Sequence, residues 1–468
     1  MGIDDIDRDL LEATIRRALA RGGDFAEVFV EDRTSLGLKL EDSRVEDASG
    51  GHEIGAAVRL TSAERTYYAY TDEVDEPNLA VAAGIVAGAL RGAAGTGPTI
   101  VRLGNVRSVT GKHPIFVPPE TVTVRLKSEL LRAGNEAARS VSDDVGQAIV
   151  GYSEARQRIL IANSLGEFVH DDRTRLRLVA SVIARRDGVM QTGFETLGKS
   201  MGFELLDEAT AAEVGRRAAE KAVTMLAAKP SPVGPMPVVM GNGFGGTLFH
   251  EACGHGLEAD SVAKGASIYA GRIGEVVASP IVNAFDDGSI TNEWGSGTFD
   301  DEGVPTQLTV VIEGGRLRQF LYDRLRARQA GVAPTGNGRR QSFRHVPIPR
   351  MTTTCIGPGD SDPEEIIAAT SRGFYAKSLA GGQVEPASGN FVFGVAEGYL
   401  IENGKVTTPL RGATLVGNGI DVLNNIDMIA GDFLVKSGMC GKDGQSVPVG
   451  TGQATLRIKE MTVGGTGS

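Results

Sequence analysis

Cysteine is scarce: three residues in 468, an odd number and widely spaced, which argues against the disulfide framework of a small secreted fold. No run of 18 apolar residues occurs, so no segment has the pattern of a membrane-spanning helix. The opening MGIDDIDRDLLEA is acidic and lacks the apolar core of a secretory leader. Basic charge is outweighed as well, and a net charge of -11 gives no support to nucleic-acid binding. The cytoplasm is the simplest placement. Aromatic residues make up only 5% of the chain, while 63 glycines imply many turns, bulges or closely approached backbones. What remains is the composition of an ordinary soluble protein, 41% hydrophobic and 23% charged, long enough for two domains or more.

Residues 6–21 have the apolar spacing of an amphipathic helix, which Gly22 and Gly23 would stop. The stretches FAEVFVED, SLGLKLED, GHEIGAAVRL and RTYYAYTD are expected as short strands separated by polar turns. An alanine-rich helix follows at 77–94, opened by Pro77, then a poorly patterned connector at 95–119 and a helix at 124–140. Strand-like runs cover 145–163 and 173–196, with VGYSEARQRILIANSLGE resembling a hairpin followed by a turn, and a helix is expected at 208–228. KPSPVGPMP at 229–237 holds four prolines and marks the main break, between an N-terminal mixed α/β domain, 1–229, and a β-rich C-terminal domain, 238–468. In the second half, 307–313, 316–321, 391–401 and 405–415 have strand patterns. Asn-Gly in ENGK signals a hairpin, and Asp362 and Pro363 open a helix at 362–371.

The chemistry is concentrated in GNGFGGTLFHEACGHGLEAD, residues 241–260. His250, Glu251 and His255 lie within six residues, and two imidazoles with a neighbouring carboxylate can hold zinc and activate water. The usual peptidase spacing, His-Glu-x-x-His, puts the histidines one helical turn apart. One residue is added here. At roughly 100° per residue, an α-helix would turn His255 about 140° away from His250. A π-type turn would bring positions i and i+5 back together, and Gly254 could let the backbone leave regular geometry. A metal needs a further ligand, for which Glu258, Cys253 and Cys440 are available. Cys253 also fits a small buried hydrophobe. Glu258 fits a ligand, a partner that orients an imidazole, or a surface carboxylate.

Seven arginines, 324, 326, 328, 339, 340, 344 and 350, form a local basic cluster in this acidic chain. Most suit ion pairs with the abundant carboxylates, and one or two suit a grip on a substrate carboxylate or carbonyl. GNGFGG lacks the glycine spacing of a nucleotide loop and fits close approach of the backbone to an extended peptide.

VVMGNGFGGTLFHEACGHGLEAD, YDRLRARQAGVAPTGNGRRQSFRHVPIPRMTTTCIGPGD and MCGKDGQSVPVGTGQATL together closely resemble the TldD branch of the TldD/PmbA family, over almost the whole chain. The resemblance implies an α+β fold and a zinc-dependent peptidase, with the HExxxH helix in the β-rich C-terminal domain. It implies that His250, His255 and Cys440 bind Zn²⁺, that Glu251 is the catalytic base, and that Cys440 is the third ligand in preference to Glu258. It further implies a motif-less partner of the TldE/PmbA type, whereas the chain alone also allows a homodimer. Family members are linked to unfolded peptides, leader removal from modified peptides, and antitoxin turnover. Their older label, modulator of DNA gyrase, does not imply DNA binding. Ala454 stands where the family often has proline, outside the implied ligands. In this reading Glu251 takes a proton from water and passes it to the leaving amine. The rivals are a metal-dependent small-molecule amidase or deformylase, and a non-enzymatic interaction subunit stabilised by its metal.

Overall fold

The alternation of Val28, Val30, Leu38 and Leu40 runs along one uninterrupted strand, β1 (Phe25–Glu41), in a computed structural model that describes residues 3–90, 101–109, 112–243 and 246–465. These four side chains are buried beneath helices, while Phe29 enters a separate cluster on the other face. Two short strands with a turn between them do not form. Residues 32–35 stay extended because they pair on both sides, with β2 (Arg44–Ser62) and with β4 (Val145–Asn163). With β3 (Arg65–Thr71), β5 (Phe168–Arg186) and β6 (Val189–Lys199), they make an antiparallel sheet in the order β3-β2-β1-β4-β5-β6.

Four helices cover one face of that sheet. The helices α1 (Arg8–Ala18) and α2 (Glu76–Ala89) pack over the β1–β2 end, and α3 (Val124–Ser140) and α4 (Glu208–Leu226) over the β4–β5 end. Asp75 caps α2 by accepting from the Asn78 N–H, and Pro77 lies in its first turn. The expected helix to residue 94 ends at Ala89, and residues 91–100 of that helix and the following connector lie outside the described residues. Residues 150–167 do not fold into a hairpin. They continue β4 to Asn163, whose side chain then accepts from the N–H groups of Leu165 and Glu167 and turns the chain into β5. The run 173–196 contains its own turn, at Asp187 and Gly188, where φ is 50° and 79° as a two-residue hairpin loop requires.

The second half is mainly strand. The proline-rich stretch is not a free link, since Lys229–Pro230 pairs with residues 410–411 and Gly234–Met240 is a strand between Arg372–Glu385 and Leu456–Gly464. Thr414–Asn418 and Asn390–Glu402 continue that sheet, and Asn390–Glu402 pairs back onto Arg372–Glu385, closing it on itself. Asn403 and Gly404 make the expected tight turn, and Asp362 forms a capping box on Pro363–Ala368. The expected strand at 405–415 is two, Lys405–Arg411 and Thr414–Asn418, broken at Gly412 with φ 68°. Only Arg316–Leu317 of the expected 316–321 is strand. A second sheet of six strands ends in Gln445–Gln453 and the edge strand Leu434–Lys442. Helices thus belong mostly to the first sheet and strands to the second half, the α+β arrangement expected. Among the described residues no helix is long and apolar enough to cross a membrane.

The bare face of the first sheet meets the second half through Phe29, Ile159, Ile161 and Val169 against Phe299 and Phe343. Beside this apolar contact lies a buried ion cluster. Glu27 on β1 accepts from Arg59 on β2 at 3.0 Å and from Arg340 at 2.5 Å, and Arg59 lies 2.6 Å from Glu302. Burial alone would raise the Glu27 pKa, but the two guanidinium groups hold it below the usual carboxylate value. Removing one member of such a cluster strands the others in a low-dielectric site. Glu27→Gln, nearly isosteric, is therefore expected to cost about 3–5 kcal/mol, read as a lower urea or thermal midpoint, whereas an unchanged midpoint would show that the cluster does not hold the halves together.

Candidate metal centre

Val238, Val239 and Met240 are fully buried and bring the chain to the motif along the closed sheet. Phe244 and Gly245, inside the glycine-rich approach, lie outside the described residues. Helical geometry begins at Gly246–Phe249 and continues through a π turn, His250–Gly254, into His255–Leu257. Leu248, Phe249, Ala252, Cys253 and Leu257 sink into the main core of the second half and fix which side of this helix faces inward. The widened turn closes with a bond from the N–H of His255 to the carbonyl of His250. That i→i+5 bond removes the angular mismatch of the extra residue, and the two rings stand 5.2 Å apart at 81°.

Gly254 acts differently from the sequence-based expectation. Its φ of -56° and ψ of -48° are ordinary helical values, so no unusual backbone geometry depends on it. Its missing side chain makes room, since a Cβ there would lie 2.1 Å from the sulfur of Met351.

The third arm is Cys440, on the edge strand Leu434–Lys442, and its Sγ lies 3.4 Å from His255 Nε2. One ligand atom from each of His250, His255 and Cys440 falls within 4.8 Å of the others, and all three residues are buried or nearly so. Donors around a tetrahedral zinc stand about 3.3–3.6 Å apart, which the His255–Cys440 pair already satisfies. Both ring nitrogens of His250 are buried without a hydrogen-bond partner, a rare condition for a polar side chain and one that a metal would relieve. Burial would push the Cys440 thiol up, yet the two imidazoles beside it hold it down to about 4, favouring the thiolate that binds metals. The other cysteines differ. Burial pushes Cys253 up to about 12 and Cys355 well above its usual value, as suits core side chains.

Glu251 and Glu258 occupy distinct positions. The Glu251 side chain is 27% exposed, and its Oε2 stands 3.7 Å from His255 Nε2. Glu258 is fully buried on the opposite side of His255, 2.9 Å from Nδ1. The Glu258 contact at Nδ1 orients the imidazole so that Nε2 faces Cys440. Although burial opposes its charge, His255 and Lys442 hold Glu258 down to about 2. Lys442 also reaches Asp260 at 2.6 Å. Sequence reasoning overlooked Lys442. Its spacing from Cys440 was the available signal, because i and i+2 share one face of a strand.

The basic cluster divides. Arg324, Arg328, Arg340 and Arg344 pair with Glu167, Asp24, Glu27 and Glu53. Arg326 donates to Gln329, and Arg339 to the carbonyls of Met351 and Pro448. Arg350, wholly buried, donates to the carbonyls of Cys440 and Gln445 and so braces the hairpin that delivers the thiolate.

Comparison with known proteins gives three family matches along the chain: PmbA/TldA metallopeptidase domain 1 at residues 26–91, the central domain at 117–226, and the C-terminal domain at 233–465. A metalloprotease TldD homolog of Haemophilus influenzae is 39% identical over 95% of this chain and 94% of its own length. A zinc metalloprotease TldD homolog of Saccharolobus solfataricus is 34% identical over 61% of this chain and 63% of its own length. Among solved structures, a Thermotoga maritima protein named a modulator of a DNA gyrase superposes with a TM-score of 0.80 at 24% identity, covering 97% of this chain and all of that one. TldE of Thermococcus kodakarensis does so at 0.77 and 21% identity, covering 97% of this chain and 100% of its own.

Loss of the carboxylate that orients a ligating histidine typically costs about 10–100-fold in metal affinity. Glu258→Gln is expected to weaken zinc binding by that factor, measured by competition with a chelating dye, while the folded circular dichroism spectrum is kept. Undiminished affinity would remove Glu258 from the centre.

Proposed function

The chain belongs to the PmbA/TldD metallopeptidase family, and on that premise we propose that it is a zinc-dependent peptidase acting on unfolded or extended peptides. The observation that carries this reading is the convergence of His250, His255 and Cys440 within 4.8 Å, with Glu251 on the same turn. These three residues would hold the ion as two neutral imidazoles and one thiolate, with Glu258 fixing the ring of His255. Zinc bound there would supply Lewis-acid polarisation of the scissile carbonyl and a lowered pKa for water. Glu251 lies beside the ligands and is open to solvent, free to accept the water proton and return it to the leaving amine. The division of labour follows from position, since Glu258 is tied to His255 and Lys442 and has no freedom to shuttle protons.

Substrate form follows from burial. The ligands are buried or nearly so and Glu251 is partly exposed, so a scissile bond must be brought inward, which an extended chain can do and a folded surface cannot. One local edge is closed to added strands. The carbonyls of Gly438 and Cys440 already accept from Trp294 and Arg350, so peptide backbone would have to pair elsewhere. Leader segments and antitoxin chains are substrates of the required kind. The relatives named metalloproteases favour peptide cleavage over a small-molecule amidase or a purely structural metal. We place the protein in the cytoplasm, beside a TldE/PmbA-like subunit. TldD and TldE names both occur among proteins like this chain, one by sequence and one by fold.

General acid–base catalysis contributes about 10²–10⁴-fold. Glu251→Gln is therefore expected to lose at least that much peptide hydrolysis, assayed on an unstructured peptide, while zinc content and thermal midpoint stay at parental levels. Near-normal turnover by the zinc-loaded variant would contradict the role. Purification from the native cell followed by mass spectrometry is expected to recover a related chain lacking HExxxH. A homodimer is the alternative assembly, and a fully active lone monomer would contradict both.

A further inference from the structure

A cavity of about 560 Å³ lies between the bare face of the first sheet and the hairpin that carries Cys440. None of His250, Glu251, His255 or Cys440 lines it. Met439 does, on the opposite side of its strand from Cys440, so the cavity borders the hairpin that carries Cys440.

Six arginines line this cavity: Arg33, Arg173, Arg175, Arg177, Arg339 and Arg340. Only two carboxylates accompany them, and both are engaged. Asp301 holds Arg173 at 2.5 Å, and Glu154 holds the buried Lys127 at 2.6 Å. Arg340 is paired with Glu27. Arg33, Arg175, Arg177 and Arg339 have no carboxylate partner among the described residues. Three of these four are nonetheless held in place. Arg175 donates to the carbonyls of Trp294 and Ser296 at 3.1 and 3.2 Å, Arg177 to the Thr196 hydroxyl at 3.0 Å, and Arg339 to the carbonyls of Met351 and Pro448 at 2.5 and 2.7 Å. Neutral acceptors orient a guanidinium without cancelling its charge. Fixed guanidinium forks with spare donors are the usual apparatus for binding carboxylate or phosphate.

The electrostatics agree with an incomplete charge balance. Burial, with Arg173 and Arg339 nearby, pushes Arg175 down to about 9. Burial also pushes Arg339 down to about 10, against the pull of Asp301 and with Arg350 and Arg173 adding to the fall. The Nε of Arg340 is buried without an acceptor. Space is provided on the sheet side by Gly37 and Gly51, which sit in register with Ser49 and Ser35, and a Cβ at Gly51 would meet no atom within 4 Å.

We propose that this cavity binds a polyanion, a ligand presenting several clustered oxyanion charges to Arg33, Arg175, Arg177 and Arg339. Such charge has two sources, the acidic side chains of a peptide segment or a free phosphate compound. Calorimetric titration of the full chain with inorganic tripolyphosphate and with a tetraglutamate peptide blocked at both ends separates them, with tetraglutamine as the neutral control.

One-to-one binding of at least one anionic probe is expected, weakening steeply between 50 and 200 mM salt because ion pairs replace counterions. Tripolyphosphate alone would identify a free phosphate compound, tetraglutamate alone an acidic segment, and mutual competition the shared site. Arg175→Met and the half-exposed Arg177→Met are each expected to weaken binding at least tenfold. Arg177→Met should not lower the thermal midpoint of the ligand-free protein, because it removes a charge that has no carboxylate partner, whereas Arg175→Met also removes the bonds to the carbonyls of Trp294 and Ser296. Arg177→Met decides the matter if Arg175→Met does not fold. Absence of binding by both probes, binding equal to that of tetraglutamine, or binding undiminished in the variants would overturn the proposal. So would a ligand-free midpoint that falls in Arg177→Met, which would make the arginine structural.

Discussion

The π turn His250–Gly254, closed by a bond from the N–H of His255 to the carbonyl of His250, sets the spacing on which the metal centre depends. An ordinary i→i+4 turn would point the two imidazoles about 140° apart. Several contacts keep the wider turn in place. Leu248, Phe249, Cys253 and Leu257 lock the helix into the core, and Met351 fills the space left by Gly254. Glu258 leaves the helix in an extended conformation and returns its carboxylate to His255. A π turn is a costly departure from regular helix and tends to persist where function requires it.

The same economy governs buried charge. Glu27, Arg59, Glu302 and Arg340 neutralise one another where the halves meet, and Glu258, Asp260 and Lys442 do so beside the imidazoles. Buried ions are tolerable when paired in this way. Against that background, the arginine-lined cavity is the place where the pairing stops. It shares the 434–453 hairpin with the metal centre, so a single β-ribbon carries Cys440 and borders the basic cavity.

Much of the centre was legible in the sequence because its parts are local. His250, Glu251, His255 and Glu258 lie within nine positions, and the extra residue in HExxxH left two ways to reunite the histidines, a π turn or a departure at Gly254, of which the fold uses the first. Cys440 is 185 residues from His255, and composition and spacing could not choose it over Cys253 or Glu258. Family resemblance selected it, and the fold brings it to the imidazoles. Helices were easier to read than strands: α3 and α4 fall within two residues of expectation because periodicity and end signals are local properties. Strand lengths were not, because residues 32–35 are held extended by neighbours over 15 and at least 120 positions away. Polar residues on a sheet face covered by another part of the chain mimic a turn in sequence. The partners of the arginine cluster were hidden for the same reason, Glu27 and Arg340 being 313 residues apart.

X-ray absorption at the zinc edge, on the full chain purified with its metal, tests the central claim most directly. Coordination by His250, His255 and Cys440 predicts one sulfur scatterer at about 2.3 Å and two imidazole nitrogens at about 2.0–2.1 Å. A first shell made only of nitrogen and oxygen would contradict it.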